Sequence, residues 1–210
     1  MAPEGLLSQA ARPRFSDLVL FGFTAAEFAA LFLLTSEFAI ADWIYVAENL
    51  LVLGLALTRR APIVQDRSPL AALAVAISLS YPYAQVICLR GTEGNIVWPD
   101  GAVVLETLAA CLSLASLVAI GRRFGLRPAL RGLARRGPYR LVRHPMYLAY
   151  FLGDIGYELD AWNTGTVLLV VAGWASLIYR IEAEERILAQ DSGWPAYTAA
   201  VRYRLIPGIW

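Results

Sequence analysis

"RRGPYRLVRHPMYLAY" runs from Arg135 to Tyr150 and passes from a basic loop to an apolar helix within two residues. It holds the single histidine of the chain, His144, set between Arg143 and Pro145. Gly137-Pro138 marks a turn. A residue before proline is biased away from the α region, and proline suits the first position of a helix. The stretch therefore predicts a helix starting at Pro145, with His144 capping it from outside. Helix N-termini leave backbone N–H groups unpaired and attract carboxylates and other anions. Met146, Tyr147 and Tyr150 follow in the first turns, with Tyr147 near enough to share such a site.

The apolar side of this junction is typical of the chain. Apolar residues make up 58% of the sequence and charged residues 17%, with a mean hydropathy of +0.54. A soluble domain is nearer 45–50% apolar and about 25% charged. The composition predicts an all-α integral membrane protein, and the length suits one domain, residues 1–210. A span needs about 20 mostly apolar residues. Six candidates follow: about 18–35, 39–57, 70–89, 102–121, 145–159 and 164–181. The fifth and sixth read as a tight hairpin turning at Asp160-Ala161-Trp162-Asn163-Thr164. Residues 1–121 form an N-terminal four-helix portion. Residues 122–210 carry a basic loop, the hairpin and a C-terminal helix and tail. The first 17 residues lack an apolar core, so no cleavable signal peptide is expected.

All 18 basic residues are arginine. With a cytoplasmic N-terminus, all of them except Arg90 fall on the cytoplasmic side. Positive-inside asymmetry of this kind orients the bundle. Both termini, the opening stretch and the C-terminal helix then share the cytoplasmic face. The run "RRFGLRPALRGLARRGP" at 122–138 reads as interfacial.

Acids within spans are costly and often functional. Here they are Glu27, Asp42, Glu48 beside Asn49, and Glu106; they serve either helix-to-helix hydrogen bonding or a polar lining. Cys88 and Cys111 lie in apolar runs, imply packing and have no metal-ligand spacing. A single histidine with no nearby cysteine argues against a metal site. The absence of G-x-G-x-x-G and Walker patterns argues against a nucleotide fold of those kinds. No nucleic-acid partner is expected.

A second polar cluster, "YRIEAEERILAQDSGWPAYTAAVRYRLIPGIW", runs from Tyr179 to Trp210. Arg180 and Glu184 share a helix face at i, i+4. Glu184 and Glu185 point about 100° apart, so one can face inward while the other meets solvent. Gly193 and Pro195 end the helix. Trp194, Tyr197, Tyr203 and Trp210 read as interfacial anchors. Arg180 lies at the edge of an apolar run, where an unpaired charge is expensive.

The two clusters in tandem resemble the integral-membrane methyltransferases related to isoprenylcysteine carboxyl methyltransferase and the phospholipid methyltransferases. The residues carrying the likeness are Gly137-Pro138-Tyr139-Arg140-Leu141-Val142-Arg143-His144-Pro145-Met146-Tyr147 and the stretch from Arg180 to Leu188. The Trp194–Pro207 ending adds to it, and coverage is about 120–210. Ser192 stands where the family usually has phenylalanine, and Ala200 where a second aromatic is common.

The resemblance implies S-adenosylmethionine as methyl donor. It implies that Tyr139, His144, Pro145, Met146 and Tyr147 line the cofactor pocket. The backbone of Arg131, Gly132, Leu133 and Ala134 lies along the cofactor, and Glu184 contacts it. Arg180 falls on the family's substrate-facing arginine. The chemistry is compatible: a helix N-terminus suits a carboxylate, Glu184 suits hydroxyls or an amino group, and tyrosine faces attract a sulfonium.

The acceptor remains open at this stage. Arg180 pairs directly with a carboxylate or phenolate, which favours lipid O-methylation, including an isoprenylcysteine-type carboxylate. An amine would need a general base, which arginine cannot be; Glu185 or His144 would serve. A phospholipid amine, a small thiol, a sterol-reductase-like NADPH reaction and a non-catalytic membrane role are the alternatives. The expected partners are a lipophilic or lipidated substrate and the membrane lipids themselves.

Overall fold

The computed structural model describes residues 22, 25, 29, 40–90 and 95–210. The expected first span at 18–35 and Glu27 lie outside the continuous stretches. The chain is helical, in the order α1 (Ile40–Thr58), β1 (Val64–Gln65), α2 (Pro69–Arg90), α3 (Pro99–Ile120), β2 (Ala129–Leu130), α4 (Pro145–Asp160), α5 (Thr164–Leu188) and α6 (Trp194–Ala200). Short 3-10 turns occupy Gly121–Arg123 and Gly137–Arg140.

Local chemistry sets these boundaries. Ser68 Oγ accepts the Ala71 N–H at 3.1 Å before α2, an N-cap contact. Asn163 opens α5 with a reciprocal capping box: its Oδ1 accepts from Thr166 N, and Thr166 Oγ1 accepts from Asn163 N, each at 3.0 Å. Proline stands in the first turn of α2, α3, α4 and α6, where its missing N–H removes no intrahelical bond.

Among the described residues, three helices are long and apolar enough to cross a bilayer: Pro69–Leu89, Pro99–Arg123 and Thr164–Leu188. Their outward positions, such as Leu73, Ile87, Val104, Leu108, Leu168 and Val171, are exposed apolar side chains. Ser113, Ser116, Asp154, Thr166, Ser176 and Arg180 are buried instead. Polar groups inside and hydrocarbon outside is the arrangement lipid demands. Helix α4 has 16 residues, about 24 Å of helix, so it is shorter than the hydrocarbon core of about 30 Å.

The turn between α4 and α5 is as short as expected, yet each helix finds its main partner elsewhere. α4 packs antiparallel on α3, and α5 packs antiparallel on α2. Glycine permits both approaches. A side chain at Gly156 would meet Glu106 Cγ at 2.8 Å, and one at Gly173 would meet the Tyr81 ring at 2.9 Å. A space is thereby left in the middle of the bundle.

At the end of the bundle away from the α4–α5 turn, three backbone strips close the structure. The antiparallel β1–β2 ribbon pairs Val64 with Leu130 and Gln65 with Ala129. Arg60 N donates to Arg122 O at 2.7 Å and Asp66 N to Pro128 O at 3.0 Å. The C-terminal tail returns to α4, with Arg143 N and His144 N donating to Tyr203 O and Arg204 O at 2.9 Å. At the opposite end, Asn95 and Trp162 exchange backbone hydrogen bonds.

The observed tail differs from expectation in one respect. α5 stops at Leu188, and Pro195 begins α6 rather than ending α5. Proline forbids helix interior but suits a first turn, so Gly193-Trp194-Pro195 restarts a helix.

Candidate functional site

The arginine-rich end of the bundle holds a cleft walled by the 121–134 loop, the Tyr139 turn, the start of α4 and the end of α5. Its inner part encloses about 80 Å³, and the remainder opens to solvent. Every residue expected at a cofactor pocket lines it except Pro145. Thus Arg131, Gly132, Leu133, Ala134, Tyr139, His144, Met146, Tyr147 and Glu184 share one cleft. Pro145 is fully buried under the first turn of α4 and shapes the site by starting the helix.

The loop's path depends on two glycines. Gly132 has φ +92°, a left-handed conformation that costs a residue with a Cβ. Gly125 lies under the Arg131 guanidinium, whose Nη1 is 2.4 Å from where a Cβ would stand. Arg131 Nε donates to Arg60 O at 3.2 Å, tying this wall to the 60–67 segment. Arg123 also lines the cleft, and its buried Nε makes no hydrogen bond to a described residue. Sequence reasoning did not single out Arg123; the basic run read only as an interfacial segment.

Glu184 reaches the cleft and accepts a hydrogen bond from the Tyr147 hydroxyl. Tyr139 lies opposite, buried, with its backbone carbonyl accepting from the Tyr197 hydroxyl at 2.9 Å. Burial, reinforced by the Glu184 carboxylate, raises the Tyr139 phenol above its ordinary value. Burial likewise pushes Tyr197 up to about 12, so both phenols are neutral donors at physiological pH. Tyr197 and Trp194, read from the sequence as interfacial anchors, line the cleft.

Glu185, expected as a candidate base, points elsewhere. Its Oε1 accepts from Arg143 Nε at 2.7 Å and faces His144 Nε2 at 3.1 Å. Its Oε2 accepts from Arg204 Nε at 2.9 Å. Arg143 also donates to the Val201 and Arg202 carbonyls. Both carboxylate oxygens are thus engaged in a knot joining α5, the start of α4 and the tail. His144 occupies the N-cap position of α4 as expected, with no side-chain capping hydrogen bond to a described residue, and its ring is drawn into that knot. Its Nδ1 stands 3.9 Å from Glu184 Oε2.

Arg180, 6% exposed, belongs to a second and larger cavity of about 470 Å³ inside the bundle. Its Nη1 donates to Ser78 Oγ at 2.6 Å and its Nη2 to Leu126 O at 3.0 Å. Its Nε makes no hydrogen bond to a described residue. Its guanidinium lies over the Tyr147 ring, 5.3 Å from the centroid, a cation–π geometry. The i, i+4 partnership with Glu184 does not form a hydrogen bond, because Arg180 reaches across to α2 and the loop instead. Glu48, Asn49, Glu106, Ser113 and Asp154 line the same cavity. Of the intramembrane acids read from the sequence, Glu48 and Glu106 are therefore lining groups. The Asp42 side chain lies outside the described residues.

The cleft and the cavity adjoin. Gly125 and Met146 line both. Tyr147 joins them chemically, with its hydroxyl on Glu184 in the cleft and its ring beneath Arg180 of the cavity. The smaller cleft thus meets the larger bundle cavity at Gly125, Met146 and Tyr147.

Comparison with known proteins bears on this arrangement. The sequence model of a family described as "Isoprenylcysteine carboxyl methyltransferase (ICMT) family" matches residues 102–190. Two curated Arabidopsis thaliana proteins, protein-S-isoprenylcysteine O-methyltransferases A and B, are similar to the chain. Each is 24% identical over 185 residues, covering 85% of this chain and 89% of the relative.

Proposed function

We propose that the chain is a member of the isoprenylcysteine carboxyl methyltransferase family, a reading supported by the match over residues 102–190 and the two similar relatives, and that it transfers a methyl group from S-adenosylmethionine to a lipophilic acid. The acceptor class covers an isoprenylcysteine-type carboxylate or a comparable acidic lipid. The observation that carries this reading is the shared wall at Gly125 and Met146 between the smaller cleft and the bundle cavity. Two substrates of opposite polarity can approach each other there.

The cleft's donor set suits the cofactor. Glu184 is a carboxylate able to accept from hydroxyls or an amino group. Arg123 offers a buried N–H without a partner among the described residues, and the start of α4 and the Gly132 turn offer backbone. When bound, S-adenosylmethionine supplies an electrophilic methyl group. Glu184, Tyr139, His144, Met146, Tyr147 and the backbone of Arg131 to Ala134 would hold it.

Arg180 would hold the acceptor. Ser78 and Leu126 fix its two terminal nitrogens, so the guanidinium is preorganised for an anion. An ionised carboxylate needs no base before attack. The engagement of Glu185 by Arg143, His144 and Arg204 agrees with a reaction that uses none. Alignment of two bound partners can supply much of the rate enhancement. The arginine asymmetry supports a cytoplasmic orientation for this end of the bundle and the C-terminal tail.

The test is calorimetric titration of the purified protein with S-adenosylhomocysteine, beside NADPH. Saturable binding of the first alone is expected. Glu184→Ala should weaken it about tenfold or more, the scale of a lost hydrogen bond to a charged group, while the protein stays folded. Binding of NADPH alone would overturn the reading.

A further inference from the structure

The bundle cavity carries more polarity than a hydrocarbon tail requires, and that polarity is unevenly satisfied. Asp154 is fully engaged: Tyr81 donates to both its oxygens, at 3.0 and 2.9 Å, and Trp174 Nε1 donates at 2.7 Å. Glu48 accepts from Ser113 Oγ. At one end of the cavity, the buried Arg180 keeps an Nε with no hydrogen-bond partner among the described residues. At the other, Glu106 lines the cavity and makes no hydrogen bond to a described residue.

The separation of these two groups follows from α4. Arg180 lies over Tyr147, and Glu106 packs at the position of Gly156. Nine residues of helix separate those levels, or about 14 Å at 1.5 Å per residue. A wholly apolar chain filling that length would leave the Glu106 carboxyl facing hydrocarbon, which is costly at membrane depth. A chain with a hydrogen-bonding group at its far end would answer both.

We infer that the acceptor is a bipolar lipid: an acidic group at the Arg180 end and a hydroxyl-type polar group on the hydrocarbon about 14 Å away, at Glu106. This rests on the cavity being the acceptor site of the proposed methyl transfer. A hydroxyl is the fitting class because it can donate to a carboxylate and can also accept from a protonated carboxyl. Glu106 then selects among acidic lipids by what they carry at their distal end.

The experiment compares lauric acid with ω-hydroxylauric acid on the protein in lipid nanodiscs, by titration with subtraction of empty discs. The hydroxy acid should bind about tenfold tighter, the ratio that one hydrogen bond to a charged group supports. Glu106→Leu should reduce the ratio to near one, and Glu106→Gln, which still pairs with a hydroxyl, should keep most of it. Equal binding of the two acids, absence of saturable binding by either, or a preference that survives Glu106→Leu would each overturn the inference. The methyltransferase reading is scored separately, by S-adenosylhomocysteine titration of the unsubstituted protein. Its failure is therefore distinct from a failure at Glu106.

Discussion

Glu185→Gln separates two roles that the sequence leaves entangled. In the structure Glu185 receives Arg143 at 2.7 Å, His144 at 3.1 Å and Arg204 at 2.9 Å. Hydrogen bonds to charged groups are worth about 1.5–3 kcal/mol each, but these three are not additive. Arg204 is 29% exposed, so its share is discounted for screening. Arg143 keeps its bonds to the Val201 and Arg202 carbonyls. The net loss on removing the charge is about 2–3 kcal/mol, chiefly from the two buried contacts. If the knot holds the tail, that loss appears as easier detachment of residues 201–210 from the start of α4. At 1.4 kcal/mol per decade, tail amides should exchange roughly 30- to 100-fold faster. The amides to follow are Arg143 and His144, which donate to the Tyr203 and Arg204 carbonyls of the tail. Amides in the middle of α5 should keep their protection. Hydrogen exchange read by mass spectrometry on the detergent-solubilised protein measures this. Unchanged tail exchange with retained S-adenosylhomocysteine binding and lost methyl transfer would refute the clasp and restore Glu185 as a base.

Two further outcomes follow from the same geometry. Arg180→Lys supplies a charge but not a fork, so it cannot hold Ser78, Leu126 and an acceptor together. Turnover of labelled methyl into a lipid acid should fall about 30- to 100-fold, with S-adenosylhomocysteine affinity changed less than about threefold; an equal loss of both would move Arg180 into the cofactor site. Gly173→Leu drives a side chain into the Tyr81 ring, which stands 2.9 Å from the Cβ position. Overpacking of about 1–3 kcal/mol should lower the thermal unfolding midpoint in detergent, and an unchanged midpoint would show that α2 and α5 separate without cost.

The sequence made the local features legible. The Pro145 start, the His144 cap and the single helical turn between Arg180 and Glu184 all depend on neighbours within a few residues. The structure keeps each of them. The partners that give these residues their roles are distant in the chain. Arg180 is fixed by Ser78, 102 positions away, and Ser78 lies in an apolar helix with nothing to mark it. Glu184 and Glu185 were readable as facing different ways. That the second faces a returning Arg204 rather than solvent depends on the tail's path after Pro195, which no periodicity encodes. Tyr197 illustrates the same limit. An aromatic near a membrane end has the composition of an anchor, and only its hydrogen bond to Tyr139 O reveals it as part of the cleft wall.

The cavity itself has a cause that joins these scales. Had α4 and α5 packed on each other, as a short turn invites, their facing side chains would have filled the centre of the bundle. Close packing goes instead to the α3–α4 and α2–α5 pairs, where Gly156 and Gly173 remove the side chains that would hold the helices apart. Small residues at helix contacts are how membrane bundles gain contact without a hydrophobic driving force. The two pairs are then held side by side by the capped turn at Asn163 at one end and by the β1–β2 ribbon and Glu185 knot at the other. The space between them inherits the polar groups that lipid excludes, Arg180, Asp154, Glu48 and Glu106. The cavity is thus a consequence of where the glycines lie, and the specificity proposed for it would follow from which of those polar groups have no partner among the described residues.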